Sequence, residues 1–100
     1  MLFDLLLARR NKAVARGVAH ATAVYADRAE NGELWDVEGK RYIDFAGGIA
    51  VLNTGHRHPK VMAAVQKQLE RFTHTAFQVL AYEPYIALCE RLNKLAKGSQ

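Results

Sequence analysis

Between Asp44 and Pro59 the chain reads Asp-Phe-Ala-Gly-Gly-Ile-Ala-Val-Leu-Asn-Thr-Gly-His-Arg-His-Pro, which follows neither the alternation of a strand nor the periodicity of a helix. Gly47 and Gly48 open this stretch, and Gly55 with the His58-Pro59 step closes it. Glycine admits positive φ and close backbone approach, so an apolar run bounded by glycines is predicted to be a structured loop beside something bulky. Two neighbours fit that description: a ligand, or the helices of a packed interior that would bury the loop.

The flanking segments constrain the class. Residues 3 to 15 are rich in Leu, Ala, Arg and Lys, which favour helix, with Phe3, Leu6, Leu7 and Arg10 on one side and Gly17 as the expected stop. The apolar end of this helix predicts an arm that packs on another subunit or on a further part of the chain. From Val24 to Phe45 the period shortens. Val24-Tyr25-Ala26 is a strand candidate, Glu30-Asn31-Gly32 a turn, Leu34-Trp35-Asp36-Val37 a second strand, and Glu38-Gly39 another turn before Arg41-Tyr42-Ile43-Asp44-Phe45. Trp35 with Val37, and Ile43 with Phe45, fall on one face of a small antiparallel meander. Two or three short strands are marginal by themselves and call for helices to cover them.

Those helices follow. Pro59 suits a first helical position, and Val61, Met62, Val65, Leu69 and Phe72 then form an apolar stripe. A second helix is predicted from about Pro84, with Tyr85, Leu88, Leu92 and Leu95 on one side and Gly98 beyond its end. The intervening Thr73–Leu80 segment reads as extended. The fold class is therefore an α+β segment, with an arm over residues 1–17.

Few residues invite chemistry on pattern alone. His56 and His58 lie in a turn with no cysteine or carboxylate spaced to complete a metal site, so helix capping and hydrogen bonding are the expected roles and no metal is predicted. The one serine, Ser99, is close to the last residue, and Cys89 falls on the apolar side of a helix pattern as an expected inert core thiol. With one cysteine, no internal disulfide can form, and no segment approaches membrane-spanning length, so a cytoplasmic protein is the default. The net charge of +4 is spread out, and its densest basic run, Arg9, Arg10, Lys12 and Arg16, carries no interleaved aromatic residues. A small basic interaction or nucleic-acid-binding protein is the rival reading from another class.

Specific segments go further. Ala26-Asp27-Arg28-Ala29-Glu30-Asn31, Leu34-Trp35-Asp36-Val37-Glu38-Gly39 and the Asp44–His56 loop closely resemble the bacterial 4-aminobutyrate aminotransferases, class III enzymes of fold type I that depend on pyridoxal 5'-phosphate (PLP). His74-Thr75-Ala76-Phe77-Gln78-Val79 and Tyr82-Glu83-Pro84-Tyr85 continue the resemblance and narrow it toward enzymes acting on 4-aminobutyrate or 5-aminovalerate, with acetylornithine a further alternative. The resemblance covers essentially residues 9 to 98. It implies transfer of an amino group from an ω-amino acid to PLP and then to 2-oxoglutarate, in a homodimer with active sites at the subunit interface. It also implies that Ile49 touches the substrate and that Gln78 lies near the active site. An apolar wall suits a short carbon chain, and a neutral amide can orient a carboxylate without a fixed charge.

The family pattern departs from this chain in two respects. Ala15 stands where the family tends to have proline before Arg16-Gly17. The family's phosphate-binding turn, pyridinium-binding Asp and Schiff-base Lys match positions beyond Gln100. Lys12, Lys40, Lys60, Lys67, Lys94 and Lys97 lie in turns or on polar helix sides, without the desolvated setting that imine formation needs. The resemblance thus implies the N-terminal portion of an aminotransferase, residues 18–100 being an incomplete small domain, with no catalytic or cofactor-binding residue in this chain, inactive by itself, and without nucleic-acid or membrane partners.

Overall fold

The computed structural model describes residues 1–96. Its elements are α1 (Leu2–Ala13), β1 (Ala26–Glu30), β2 (Glu33–Asp36), β3 (Arg41–Ile43), α2 (Gly47–Ala50), α3 (Pro59–Leu69) and α4 (Glu83–Leu95). This is the expected α+β order: a helix, an antiparallel meander with strands in the order β1-β2-β3, then helices. Gly98, the expected stop of the last helix, lies outside the described residues, as do Lys97 and Ser99. The chain divides within α3 into two units, the first ending at Ala63 and the second beginning at Ala64.

In the first unit, α1 places Asp4 in its first turn and Arg10 and Lys12 in its last, which complements the helix dipole. The helix ends at Ala13, two residues before the sequence suggests, because Val14 is extended (φ −93, ψ 136). The Arg10 guanidinium donates to the Val18 carbonyl and so folds the chain back over the helix end. Of the four residues expected on one side, Phe3, Leu6 and Arg10 are half-buried but Leu7 is exposed, as are Leu2 and Leu5. The Phe3 ring lies 6.0 Å from that of Tyr25, which attaches the arm to the start of the sheet.

The first strand begins later than expected. Val24 and Tyr25 precede it, and β1 is built from Asp27, Arg28, Ala29 and Glu30 with Ala26, residues of low strand preference. Cross-strand partners override that preference. Arg28 pairs with Trp35 and sets its guanidinium 3.8 Å from the centre of the indole, and a bulge between Ala26 and Arg28 permits the register. Trp35 opposes Arg41 and Glu33 opposes Ile43, so these four share one face, tied by a 2.7 Å ion pair between Arg41 and Glu33. Leu34, Asp36 and Tyr42 point to the other. Trp35 and Ile43 thus share a face as the alternation requires, but Val37 and Phe45 lie beyond the strand ends, and Phe45 is exposed.

At the centre of the meander sits a carboxylate. Asp36 is the one buried residue among those described, and no hydrophobic side chain is buried. Its Oδ1 accepts from the amides of Glu38 (2.9 Å) and Lys40 (3.0 Å), and its Oδ2 accepts from the Tyr42 hydroxyl (2.8 Å). Its own amide donates to the Lys40 carbonyl at 2.9 Å, and Gly39, at φ 86, completes the turn. Burial pushes the Asp36 carboxyl up, but the hydrogen bonds from Tyr42, Lys40 and Glu38 outweigh it and leave the group below the usual carboxylate range.

In the second unit, an aromatic cluster replaces a core. Phe77 stacks on Tyr85 at 4.2 Å and meets Tyr82 edge-on at 5.4 Å, while Phe72 meets Tyr82 edge-on at 5.6 Å. The Thr73–Leu80 segment is a tight turn and not extended: Ala76 is left-handed (φ 53), its carbonyl accepts from the amides of Val79 (2.7 Å) and Leu80 (3.2 Å), and the Thr75 hydroxyl donates to the Leu80 carbonyl. α4 starts at Glu83, one residue before the proline, after an extended Tyr82. Leu88, Leu92 and Leu95 on its apolar side are exposed, and so is Cys89, which is therefore no core thiol within the described residues. No described helix is long and apolar enough to cross a membrane.

Candidate functional site

The glycine-bounded loop is a left-handed helical turn. Gly47 (φ 53), Gly48 (φ 66, ψ 31), Ile49 (φ 63, ψ 63) and Ala50 (φ 61) follow one another in the left-handed region. The turn closes with bonds from the Ala50 amide to the Ala46 carbonyl (3.1 Å) and from the Val51 amide to the Gly47 carbonyl (3.0 Å). The two glycines adopt this conformation freely. Ile49 and Ala50 do not, at a cost of roughly 1–2 kcal/mol each, and a β-branched residue there is unusual. Strain of this kind persists only where the surroundings over-determine it, and it concentrates at ligand sites.

The determining contacts start at Asp44. Its Oδ1 accepts from the amides of Ala46 and Gly47, both at 3.0 Å, and its Oδ2 accepts from Nε2 of His56 at 2.5 Å. The Gly47 amide, then the His56 imidazole, holds the Asp44 carboxyl below the usual range against a smaller opposing effect of burial. The loop is also pinned at its neck. The Asp44 amide donates to the Gly32 carbonyl (2.8 Å), and His56 exchanges two backbone bonds with Asn31 (2.8 and 2.9 Å). Gly55 passes so close to Asn31 that an added Cβ would lie 2.9 Å from the Asn31 carbonyl oxygen. Beyond the neck, His58 Nδ1 accepts from the Lys60 amide at 3.1 Å and caps α3.

Each residue expected at a site can now be placed. Ile49 stands at the apex of the strained turn and is 91% exposed, so it is presented outward and not packed beneath helices. Gln78 is also exposed, within the turn after Ala76 and next to the anchored Phe77 ring. The two belong to different units of the chain. His56 bonds Asp44 and His58 caps a helix, and among the described residues no group of three or more His, Cys, Asp or Glu side chains could hold a metal ion. A shallow cleft of about 320 Å³ in the first unit lies on the sheet face at Glu30, Asn31, Gly32, Glu33, Trp35 and Ile43, away from Ile49. Asp44 opens the stretch that the sequence marks, but the sequence assigned it no role. A carboxylate ahead of Phe-Ala-Gly-Gly is a local turn signal, but its bond to His56 depends on tertiary proximity alone.

PLP is held through an imine to a desolvated lysine, and the described lysines do not fit that role. Lys12, Lys40, Lys60, Lys67 and Lys94 are all exposed. No imine-bearing lysine is therefore assigned among the described residues.

Residues 13–100 match the model of the family described as aminotransferase class-III. The chain is 61% identical over 93 residues to the 4-aminobutyrate aminotransferase of Escherichia coli, covering 93% of this chain and 22% of that protein. It is 66% identical over 95 residues to the 5-aminovalerate aminotransferase of Pseudomonas aeruginosa, covering 95% of this chain and 22% of that protein. Among solved structures, the acetylornithine aminotransferase of Elizabethkingia anophelis superposes with a TM-score of 0.85 at 28% identity, over 93% of this chain and 24% of that one. The chain thus spans about a fifth of the length of the curated relatives it matches. Its helix, three-stranded sheet and later helices match the N-terminal part of such structures. It belongs to the class-III aminotransferases, a PLP-dependent family.

Proposed function

We propose that the protein to which this segment belongs transfers the amino group of 4-aminobutyrate to 2-oxoglutarate, giving succinate semialdehyde and glutamate, and works as a homodimer. The observation that carries this reading is the Gly47–Ala50 turn, where backbone strain is spent on presenting an exposed Ile49. An aliphatic side chain held this way forms an apolar wall for a short methylene chain and keeps water from it. Gln78, exposed beside an anchored aromatic ring, offers a neutral amide for the substrate carboxylate. The segment supplies substrate-pocket surface and subunit contacts, and alone it is expected to be inactive.

A second donor has comparable support. The identity to the 5-aminovalerate enzyme of Pseudomonas aeruginosa, 66%, is somewhat higher than the 61% to the 4-aminobutyrate enzyme of Escherichia coli. The two amines differ by one methylene, which an apolar pocket distinguishes by only about 1–3 kcal/mol. The nucleic-acid reading has less in its favour, since Arg10, in the middle of the basic run, is turned onto the Val18 carbonyl.

The test uses the full-length protein with PLP. Absorption by bound cofactor and transamination of 4-aminobutyrate with 2-oxoglutarate are expected, with kcat/KM compared across 5-aminovalerate and N-acetylornithine. Absence of both cofactor absorption and turnover overturns the reading. Turnover by the purified 100-residue polypeptide would overturn the inactivity of the segment.

A further inference from the structure

We propose that Asp44 and His56 form a clasp that positions Ile49, and so sets the preference among amines of different length; this rests on the substrate-facing role of Ile49 proposed above. Besides the backbone bonds within the turn itself, two sets of contacts tie the loop to its surroundings, and they do different work. The backbone bonds from Asp44 to Gly32 and between His56 and Asn31 fix where the loop leaves and rejoins the β1–β2 turn. They do not fix the path between. That path holds four successive left-handed residues, two of which resist the conformation.

Asp44 bonds both to the start of the left-handed turn and to the far end of the loop. With Oδ1 taken by the Ala46 and Gly47 amides and Oδ2 by His56 Nε2, the carboxylate has no freedom to rotate. Remove the imidazole and Oδ2 loses its partner, so the side chain can turn and release the two amides that begin the turn. In the intact pair the bond is partly shielded from water, the His56 and Asp44 side chains being 20% and 12% exposed. The imidazole cannot easily be carried away: Gly55 before it is in contact with the Asn31 backbone. The pair touches neither cofactor nor reacting atoms in this scheme, and both members are positioning residues.

The experiment compares wild type, His56→Ala, His56→Gln, Asp44→Ala and the Asp44→Ala/His56→Ala double variant in the full-length, PLP-loaded protein. Hydrogen exchange is read on peptides covering residues 44–56 and 26–43, and kcat and KM are measured for 4-aminobutyrate and 5-aminovalerate. In His56→Ala, exchange over 44–56 is expected to accelerate while 26–43 stays protected. KM for the preferred amine should rise about tenfold, with kcat within about twofold and the discrimination between the two amines reduced. His56→Gln, whose amide can donate to Asp44, should restore most of both effects. The double variant should be no worse than Asp44→Ala, as expected for groups acting as one unit. Unchanged exchange over 44–56, equal loss over both peptides, kcat falling with KM unaltered, or no recovery in His56→Gln would each overturn the clasp. If wild type transaminates no ω-amino acid, the functional reading falls and amine selection with it, while the exchange data still decide whether the clasp exists.

Discussion

The Tyr42 hydroxyl on β3 donates to Oδ2 of Asp36 on β2 at 2.8 Å, completing the hydrogen-bond shell of the one buried residue among those described. The meander is therefore centred on a satisfied carboxylate and not on apolar packing. A buried acceptor stripped of its partner loses more than the bond itself, because its desolvation is no longer offset.

Tyr42→Phe should consequently lower the melting temperature of the sheet, and Asp36→Ala should lower it further by releasing the Glu38 and Lys40 amides as well. Trp35, the only tryptophan of the chain, reports this through its fluorescence. A melting curve for Tyr42→Phe identical to wild type would contradict this account of the centre.

Acid should act on the same groups. Asp36 and Asp44 have folded-state pKa values below their unfolded ones, as does Glu33 through its hydrogen bond to Arg41. Their contribution is complete above the unfolded carboxylate range and is lost as pH falls through the lower folded values. Trp35 emission should stay flat from neutrality down to about pH 5 and change below about pH 4. A transition centred near pH 6 would point to other groups.

Gly55→Ala should open the neck of the loop. The new Cβ would meet Asn31 backbone atoms at 2.9 to 3.0 Å, on a residue at φ 82. The expected loss is about 1–3 kcal/mol, measured by denaturant unfolding. Gly17→Ala, where nothing lies within 4 Å, is the control and should be neutral or slightly stabilising. Equal effects at the two positions would refute the close approach.

Ile49→Gly should separate stability from function. Glycine relieves the left-handed strain, worth roughly 1–2 kcal/mol, so the loop should become no less stable. The apolar wall is lost, and kcat/KM for the ω-amino acid in the full-length enzyme should fall at least about tenfold. Retained kcat/KM would remove Ile49 from the pocket.

Arg28→Ala should shift Trp35 emission and cost only about 0.5–1 kcal/mol, since the guanidinium over the indole is solvent-exposed. An unchanged spectrum would show that the stacking does not persist in solution.

Much of this arrangement was legible in residue order. The Pro59 helix start, the Glu38-Gly39 turn and the unusual character of the Asp44–Pro59 loop follow from local chemistry: proline fixes φ, and glycine alone passes freely through positive φ or against another backbone. The late start of β1 was not legible, because Asp27 to Glu30 form a strand only with Trp35 and Leu34 opposite them. The Thr73–Leu80 turn escaped for a similar reason, since its left-handed residue is Ala76 and not a glycine.

Sequence alone determined the class of the fold, through the change from helical to alternating period and back, and it marked the loop by its glycines. Only the tertiary structure decided which way that loop turns, that Ile49 and Ala50 follow the glycines into the left-handed region, and that Asp44 reaches His56. The physical reason is range. Glycine and proline act on their own φ, whereas a hydrogen bond between residues far apart in the chain exists only once the neck at Asn31 has brought them together.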